Sequence, residues 1–456
     1  MALALMFLIA PALAVAQPDD RMQELERQIE ALRAEVAALR QAQGAAEEQP
    51  AAGGDDRVTE LERRLEVLAA EIERLQIGEA AAEATESQFG LGPAASKIYR
   101  TGRGLSIGGY GELLYEGFDA QRDDGAESGR VDQTDLLRGI VYFGYKWNDR
   151  WLLNTEIEYE HASTGEGGEV SMEFAYVDFL WRPELGFRGG LLLIPMGFLN
   201  ELHEPTVFLG AKRPLVETSI IPTTWRETGL GVFGGAGPLT YRSYIVSGLD
   251  ASGFAAGGLR GGRQKGARAK SEDFAWVGRL DYAPVTGLLL GASAYVGDSG
   301  QDIAAVTGGG GDQLGVATTL FEGHFEWRWR GLELRALAAQ AELDDVDRLN
   351  AARGLTGASS IGERLDGSYV QLGYDLLSGR GGESALIPYA RWETADTQAE
   401  VPAGFLASPS NDQEILTLGF AYKPIEQLIL KADYQDVDNE AGTGVDQINV
   451  LLGYIF

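Results

Sequence analysis

Three histidines are the only imidazoles in the chain, and cysteine is absent. His161 lies two positions before Ser163, His203 sits between Glu201 and Glu204, and His324 sits between Glu322 and Glu326. A covalent hydrolase needs a Ser or Asp nucleophile activated by such a base. A metal centre needs converging imidazoles and carboxylates. Glu201, His203 and Glu204 lack a second His or a supporting carboxylate pattern, so no metal and no cofactor are expected there. Glu322, His324 and Glu326 alternate at period two, which puts all three on one face of a strand as polar wall residues. No Gly-rich loop ending in Lys is present to cradle a phosphate. The expectation is a protein that is not an enzyme.

The remaining charges fall into three groups. Glu201, His203, Glu204, Lys212, Arg213 and Glu217 share one long connection, residues 197–224, where charges of both signs suit the narrowing of a channel. Lys212 and Arg213 are its candidate cations, with Glu201 and Glu204 as counter-charges. Arg260, Arg263, Lys265, Arg268 and Lys270 form a basic run with no acid between Asp250 and Glu272, suited to drawing anions towards a mouth. The third group alternates along strands: Arg138, Lys146, Glu156, Glu158, Arg242, Arg279, Glu322, Glu326, Arg328, Arg391 and Lys431 occupy one face. In WLLNTEIEYE, Leu153, Thr155, Ile157 and Tyr159 oppose Asn154, Glu156, Glu158 and Glu160. One-sided charge on so many strands requires a wet interior, because a charged side chain at mid-bilayer costs roughly 2–4 kcal/mol.

The elements that must position these residues are strands. Period-two alternation begins at Leu105 and continues to the end. Sixteen candidate strands fall near 105–118, 133–147, 150–161, 169–182, 186–196, 225–234, 239–249, 272–283, 287–298, 314–329, 331–343, 366–377, 384–394, 413–423, 426–436 and 446–456. Their connections alternate between seven short turns and eight long polar loops. The last strand, QINVLLGYIF, puts Ile448, Val450, Leu452, Tyr454 and Phe456 on one apolar face. Sorted connections, an even strand count and a lipid-ready face define an all-β transmembrane fold: a 16-stranded antiparallel outer-membrane β-barrel. The strand at 186–196, apolar on both faces beyond Arg188, is expected to be packed by protein. Sixty-one glycines suit a curved sheet. A net charge of −30 offers phosphates no basic field, which excludes nucleic acid as a partner.

An α-helical coiled coil is expected before the barrel. Residues 1–16 end in Ala14-Val15-Ala16 after an apolar stretch, as a signal peptide does, with Gln17 as the mature start. Within 17–77, segments 19–42 and 57–77 carry Met22, Leu25, Ile29, Leu32, Val36 and Leu39, then Val58, Leu61, Leu65, Leu68, Ile72 and Leu75, at 3-4 spacing. Ile or Val at a with Leu at d leans towards two strands, and an intrachain hairpin also satisfies the seam. Residues 78–104 read as a linker, and 105–456 as the barrel.

The runs GGYGELLYEGF, EFAYVDFLWRPELGFRGGLLLIPMGFLNELHEPTVF, IIPTTWRETGLGVFG and LRGGRQK resemble bacterial porins of the phosphate-selective porin superfamily. Pro195 to Phe198 and Ile221 to Trp225 are the most specific pieces, and the resemblance spans residues 105–456. It implies an outer-membrane homotrimer with the third outer loop folded into the pore. Some members carry a periplasmic coiled coil. The implied function is passive diffusion of small hydrophilic solutes, with anions such as phosphate or carboxylates favoured. The implied partners are outer-membrane lipid and the barrel assembly machinery, reached through the strand ending in Phe456. Stacked lumen Arg and Lys give the namesakes phosphate selectivity. Here the lumen faces mix signs, which departs from that pattern. A structural anchor, tethering the envelope through the coil, is the alternative.

Overall fold

The structure is a computed structural model that describes residues 87–456 except 166 and 306–312, together with helical residues 27, 31, 33, 34, 63 and 64. The signal peptide and the heptad seams lie outside the described residues. Residues 1–82 and 83–456 are separate compact units, and among the described residues every strand lies in the second.

Sixteen strands close one antiparallel barrel. They are β1 (Gly104–Phe118), β2 (Gln133–Lys146), β3 (Trp151–Glu160), β4 (Val170–Arg182), β5 (Leu185–Leu193), β6 (Arg226–Ala236), β7 (Leu239–Ser247) and β8 (Phe274–Tyr282). The other half comprises β9 (Leu288–Asp298), β10 (Ala317–Trp329), β11 (Leu332–Leu343), β12 (Arg364–Tyr374), β13 (Ala385–Glu400), β14 (Asp412–Ile425), β15 (Leu428–Asn439) and β16 (Gln447–Ile455). Each strand pairs with its sequence neighbour, and β1 closes the ring on β16 with Tyr110 opposite Ile455. Sixteen strands were expected, and each observed strand overlaps its expected range. Period two suffices to find them because each strand is apolar outside and polar or filled inside.

The outward face is the one read from the last strand. Ile448, Val450, Leu452, Tyr454 and Phe456 are exposed, while Gln447, Asn449 and Leu451 are buried. Aromatic residues gather at both ends of this face. Trp151, Trp181, Phe187, Trp329 and Tyr374 lie at the turn side, and Tyr115, Tyr159, Phe274, Trp392 and Tyr434 towards the loop side. These two belts match the two interfaces of a bilayer. Among the described residues no helix is long and apolar enough to cross a membrane.

The interior is filled by two segments. The third outer loop, residues 194–225, turns into the lumen and is buried over most of its length, with the short helix α2 (Val216–Ser219) inside it. Residues 88–101, part of the stretch read as a linker, also fold into the lumen. They carry helix α1 (Lys97–Arg100), and Leu91, Ala94, Ala95 and Ile98 join the main buried cluster. That stretch is not merely a connection: its small residues let it pass close to the wall and the loop. Gly144 on β2 leaves room for Ile98, whose Cγ1 would lie 2.8 Å from an added Cβ.

The β3–β4 ladder contains one irregularity. Glu156 faces Phe174 and the next residue, Ile157, faces Met172, so Glu173 is an extra residue without a partner. This bulge turns both Glu173 and Phe174 inward, where both are buried.

Candidate functional site: the outer vestibule and the folded loop

A cavity of about 550 Å³ opens above the third loop, between the loop and the upper walls of β1, β14, β15 and β16. Phe208, Ala211, Lys212, Arg213, Leu215 and Thr218 line it from the loop. Five cations border it, Arg130, Arg138, Lys212, Arg213 and Arg260, against three carboxylates, Glu112, Glu116 and Glu393. Lys212 gives its charge to Glu116 at 2.7 Å, and Arg138 pairs with Glu112 at 2.9 Å. The Nη2 of Arg213 is buried with no hydrogen-bond partner. Lys212 is thus neutralised by a carboxylate, while Arg213 keeps one donor without a partner.

The expected counter-charges of Lys212 and Arg213 are engaged elsewhere. Glu201 reaches Arg242 at 2.9 Å and Arg279 at 4.0 Å, below the cavity. Glu204 accepts the backbone N–H groups of Ala94 and Ala95 at 3.0 and 2.9 Å. Glu217 accepts from the Leu199 N–H at 2.6 Å and from the Tyr369 hydroxyl at 2.9 Å. His203 donates or accepts towards Glu156 at 3.1 Å, and its Nδ1 lies 2.9 Å from the Asn200 carbonyl. These side chains fasten the loop in place. Sequence spacing cannot separate that task from lining a passage, because both need polar residues on an inward loop.

The wall supplies the other halves of the fastenings. Arg279 donates to the Gly197 carbonyl and pairs with Asp281 at 2.9 Å, and Asp281 also takes Arg242 at 3.0 Å. Glu322 meets His324 at 2.9 Å. Glu326 pairs with Arg335 and, at 3.1 Å, with Arg328 at the turn-side mouth. Arg391 pairs with Glu393 at 3.0 Å, and Glu393 accepts from the Leu215 N–H. Lys431 donates to the Gly210 carbonyl at 2.9 Å and stands 3.5 Å over the Phe208 ring. Lys146 donates to the Thr101 carbonyl at 2.7 Å, holding the end of the N-terminal segment. Glu156 and Glu158 are buried beside Glu173. Glu173 was not singled out from the sequence, and neither was Tyr99, which takes up Arg188. Arg188 forks onto Asp178 at 2.9 and 3.0 Å, donates to the Tyr99 hydroxyl at 2.6 Å and stacks 4.0 Å over Tyr176.

The basic run is only partly a free field. Arg260 and Arg263 turn inward and donate to the Thr223 carbonyl of the third loop. Lys265 reaches Glu169 at 3.1 Å and Lys270 reaches Asp250 at 2.7 Å. Arg268 is exposed. Desolvation by the packed third loop, then the neighbouring Arg213 and Arg138, lowers the pKa of Arg260, which stays partly open to solvent. Burial, with Arg260 and Arg226 nearby, pushes Arg263 down to about 10, which leaves it charged at neutral pH. The run thus clamps the loop and offers Arg260 to the cavity.

Against the expectation that the chain has no Gly-x-Ser-x-Gly elbow, Gly104, Ser106 and Gly108 have that spacing. All three lie in the regular strand β1, without the strand-to-helix turn that exposes such a serine.

The class the fold defines is a closed sixteen-stranded antiparallel transmembrane β-barrel. Salmonella typhi OmpF, solved in a complex with daunomycin, superposes with a TM-score of 0.50 at 13% identity, over 79% of this chain and 99% of that one. An anion-selective porin from Comamonas acidovorans gives a TM-score of 0.47 at 12% identity, over 77% of this chain and 99% of its own. At such identities the likeness concerns the fold. No family model matches the chain. An uncharacterized protein of Aquifex aeolicus (strain VF5) is 36% identical over 378 residues, covering 80% of this chain and 83% of the relative. The chain belongs to the family of that protein.

Proposed function

We propose that the protein is an outer-membrane porin for small hydrophilic solutes, with anions such as phosphate or small carboxylates favoured at the outer mouth. The supporting observation is the vestibule floored by the third loop, where Arg213 carries an unpartnered buried N–H beside Arg138 and Arg260. Selectivity at a constriction follows the local ring of charge, so the net charge of −30 does not make it a cation pore. The sequence resemblance to phosphate-selective porins supports the same reading. The mixed signs of the wall set the preference as modest. The chain is read as a homotrimer, with a cleaved signal peptide (1–16) and a periplasmic coiled coil (17–77). Phe456 presents the last strand to the barrel assembly machinery. Single-channel reversal potentials across a salt gradient test the reading. Anion preference that falls when Lys212 and Arg213 become Glu supports it. A cation preference untouched by that change refutes it.

The filled lumen favours a second reading, an anchor that passes little current. Planar-bilayer conductance separates the two, because an anchor conducts no better after the third-loop charges are changed.

A further inference from the structure

Beside the third loop, three carboxylates and one imidazole converge, and one oxygen of each carboxylate is left without a hydrogen-bond donor. One ligand atom each from Glu156, Glu173 and His203 lies within 4.8 Å of the others. All three side chains are at least nine-tenths buried, as is Glu158 next to them. Glu156 Oε2, Glu173 Oε2 and Glu158 Oε1 have no hydrogen-bond partner. The nearby guanidiniums are already engaged. Arg226 takes Glu173 Oε1 at 2.7 Å, while Arg138 is committed to Glu112 and stands 3.8 Å from Glu158. Each carboxylate has one basic neighbour, yet three buried oxygens in one place remain without a donor, and a shared cation would serve all three.

The histidine is set as a metal ligand is set. With its proton on Nδ1, the ring donates to the Asn200 carbonyl at 2.9 Å and aims the Nε2 lone pair at Glu156, 3.1 Å away. Histidine ligands to metals almost always donate their other ring N–H in this way. Without a cation or a second proton between them, that lone pair and the carboxylate would repel. The bulge adds an independent sign. The extra residue in β4 is Glu173, turned inward into a group already rich in carboxylates. Arg226 meets one oxygen of this added acid at 2.7 Å, and the other oxygen is left facing the group.

We propose that Glu156, Glu173 and His203 bind one divalent cation of the kind that accepts imidazole and carboxylate together, with Glu158 as a further ligand, and that this ion clasps the third loop to β3 and β4. An ion at the centre of the triangle lies within about 2.8 Å of every corner, so small side-chain turns reach Zn–N and Zn–O lengths of ~2.0–2.2 Å. Zinc is the probe, since mixed His and carboxylate sites suit it.

Full-length protein in detergent, stripped with a chelator, is titrated with Zn²⁺ by calorimetry, and its metal content is counted after dialysis. The expected result is one zinc per chain, with affinity reduced roughly tenfold or more in Glu173→Gln and His203→Ala, a loss at least as large as removal of an outer-shell partner. Glu169→Gln, an outer-loop carboxylate paired with Lys265, should bind as the wild type does. Heat-modifiable migration establishes that each variant has a closed barrel. If His203→Ala fails that check, Glu173→Gln, nearly isosteric, decides alone. Absence of stoichiometric zinc in the wild type overturns the proposal. So does zinc binding that Glu173→Gln leaves intact, which would mark a surface site instead. Neither outcome bears on whether the barrel conducts, so the porin reading stands or falls separately.

Discussion

Replacing Glu204 with Ala should free residues 88–101 from the lumen without opening the barrel. The carboxylate takes two backbone N–H groups, Ala94 at 3.0 Å and Ala95 at 2.9 Å, and all three residues are buried. Removing it strands two buried donors, each costing about 1–3 kcal/mol. The docked state should therefore lose about 2–6 kcal/mol relative to a released one, or roughly 30-fold to 10⁴-fold in the docking equilibrium. Leu91 and Ile98 remain as apolar anchors, each contributing about 1.5–3 kcal/mol of burial, so release is expected to be partial at the low end of that range. Hydrogen exchange of full-length protein in detergent reads the outcome directly. Amides 88–101 should exchange faster in Glu204→Ala by about the factor above, while the β-ladder amides stay protected. Glu204→Gln should fall between, because one amide oxygen can still accept. Protection of 88–101 equal to wild type in Glu204→Ala would show that the carboxylate does not hold the segment, and the fastening argument would fail with it.

Gly92→Ala should mimic the loss of Glu204, since its Cβ would meet the Glu204 side chain; faster exchange of the same amides checks it. Arg213→Ala should shift the reversal potential more than Lys212→Ala, because Lys212 is already neutralised by Glu116 at 2.7 Å whereas Arg213 Nη2 is unpartnered; bi-ionic recordings at low salt decide, and the difference should shrink as salt screens the mouth. Arg188→Met should cost about 3–5 kcal/mol by leaving Asp178 buried and unpaired, seen as a lower heat-modification temperature; an unchanged temperature would contradict the pairing. Phe456→Ala should slow assembly in cells yet leave detergent refolding near wild type, because the Phe456 backbone still pairs with Gly109 and only the exposed ring is lost.

The wall of the barrel was legible in the sequence because its signal is local. Alternation in strands such as WLLNTEIEYE is set by residues two apart, and a lipid-facing set cannot change side unnoticed. The filling was not legible, because its contacts join distant residues: Glu204 meets Ala94 across 110 positions and Lys431 meets Gly210 across 221. Residues 88–101 are rich in Ala, Gly and Ser, which looks like a connection and is also what fits a crowded lumen. The bulge at Glu173 did leave a trace. The outward set changes parity, from Val170 and Met172 to Ala175, Val177 and Phe179, and that slip marks the inserted residue. Which inward charges line the cavity and which fasten the loop depends on partners from other strands, and no spacing rule records those.

The pairing of Tyr110 with Ile455 has a consequence for how the molecule can be made. It joins the first strand to the last across 345 positions, whereas every other ladder joins sequence neighbours. Chain-entropy cost grows with that separation, so this seam is the slowest pairing to reward itself during folding. The segment held inside precedes β1 and the loop held inside follows β5, so docking them before the seam zips spares either from threading a closed ring. A chain that fastens its contents by so many polar ties has the most to gain from sorting them before the two strands that meet last come together.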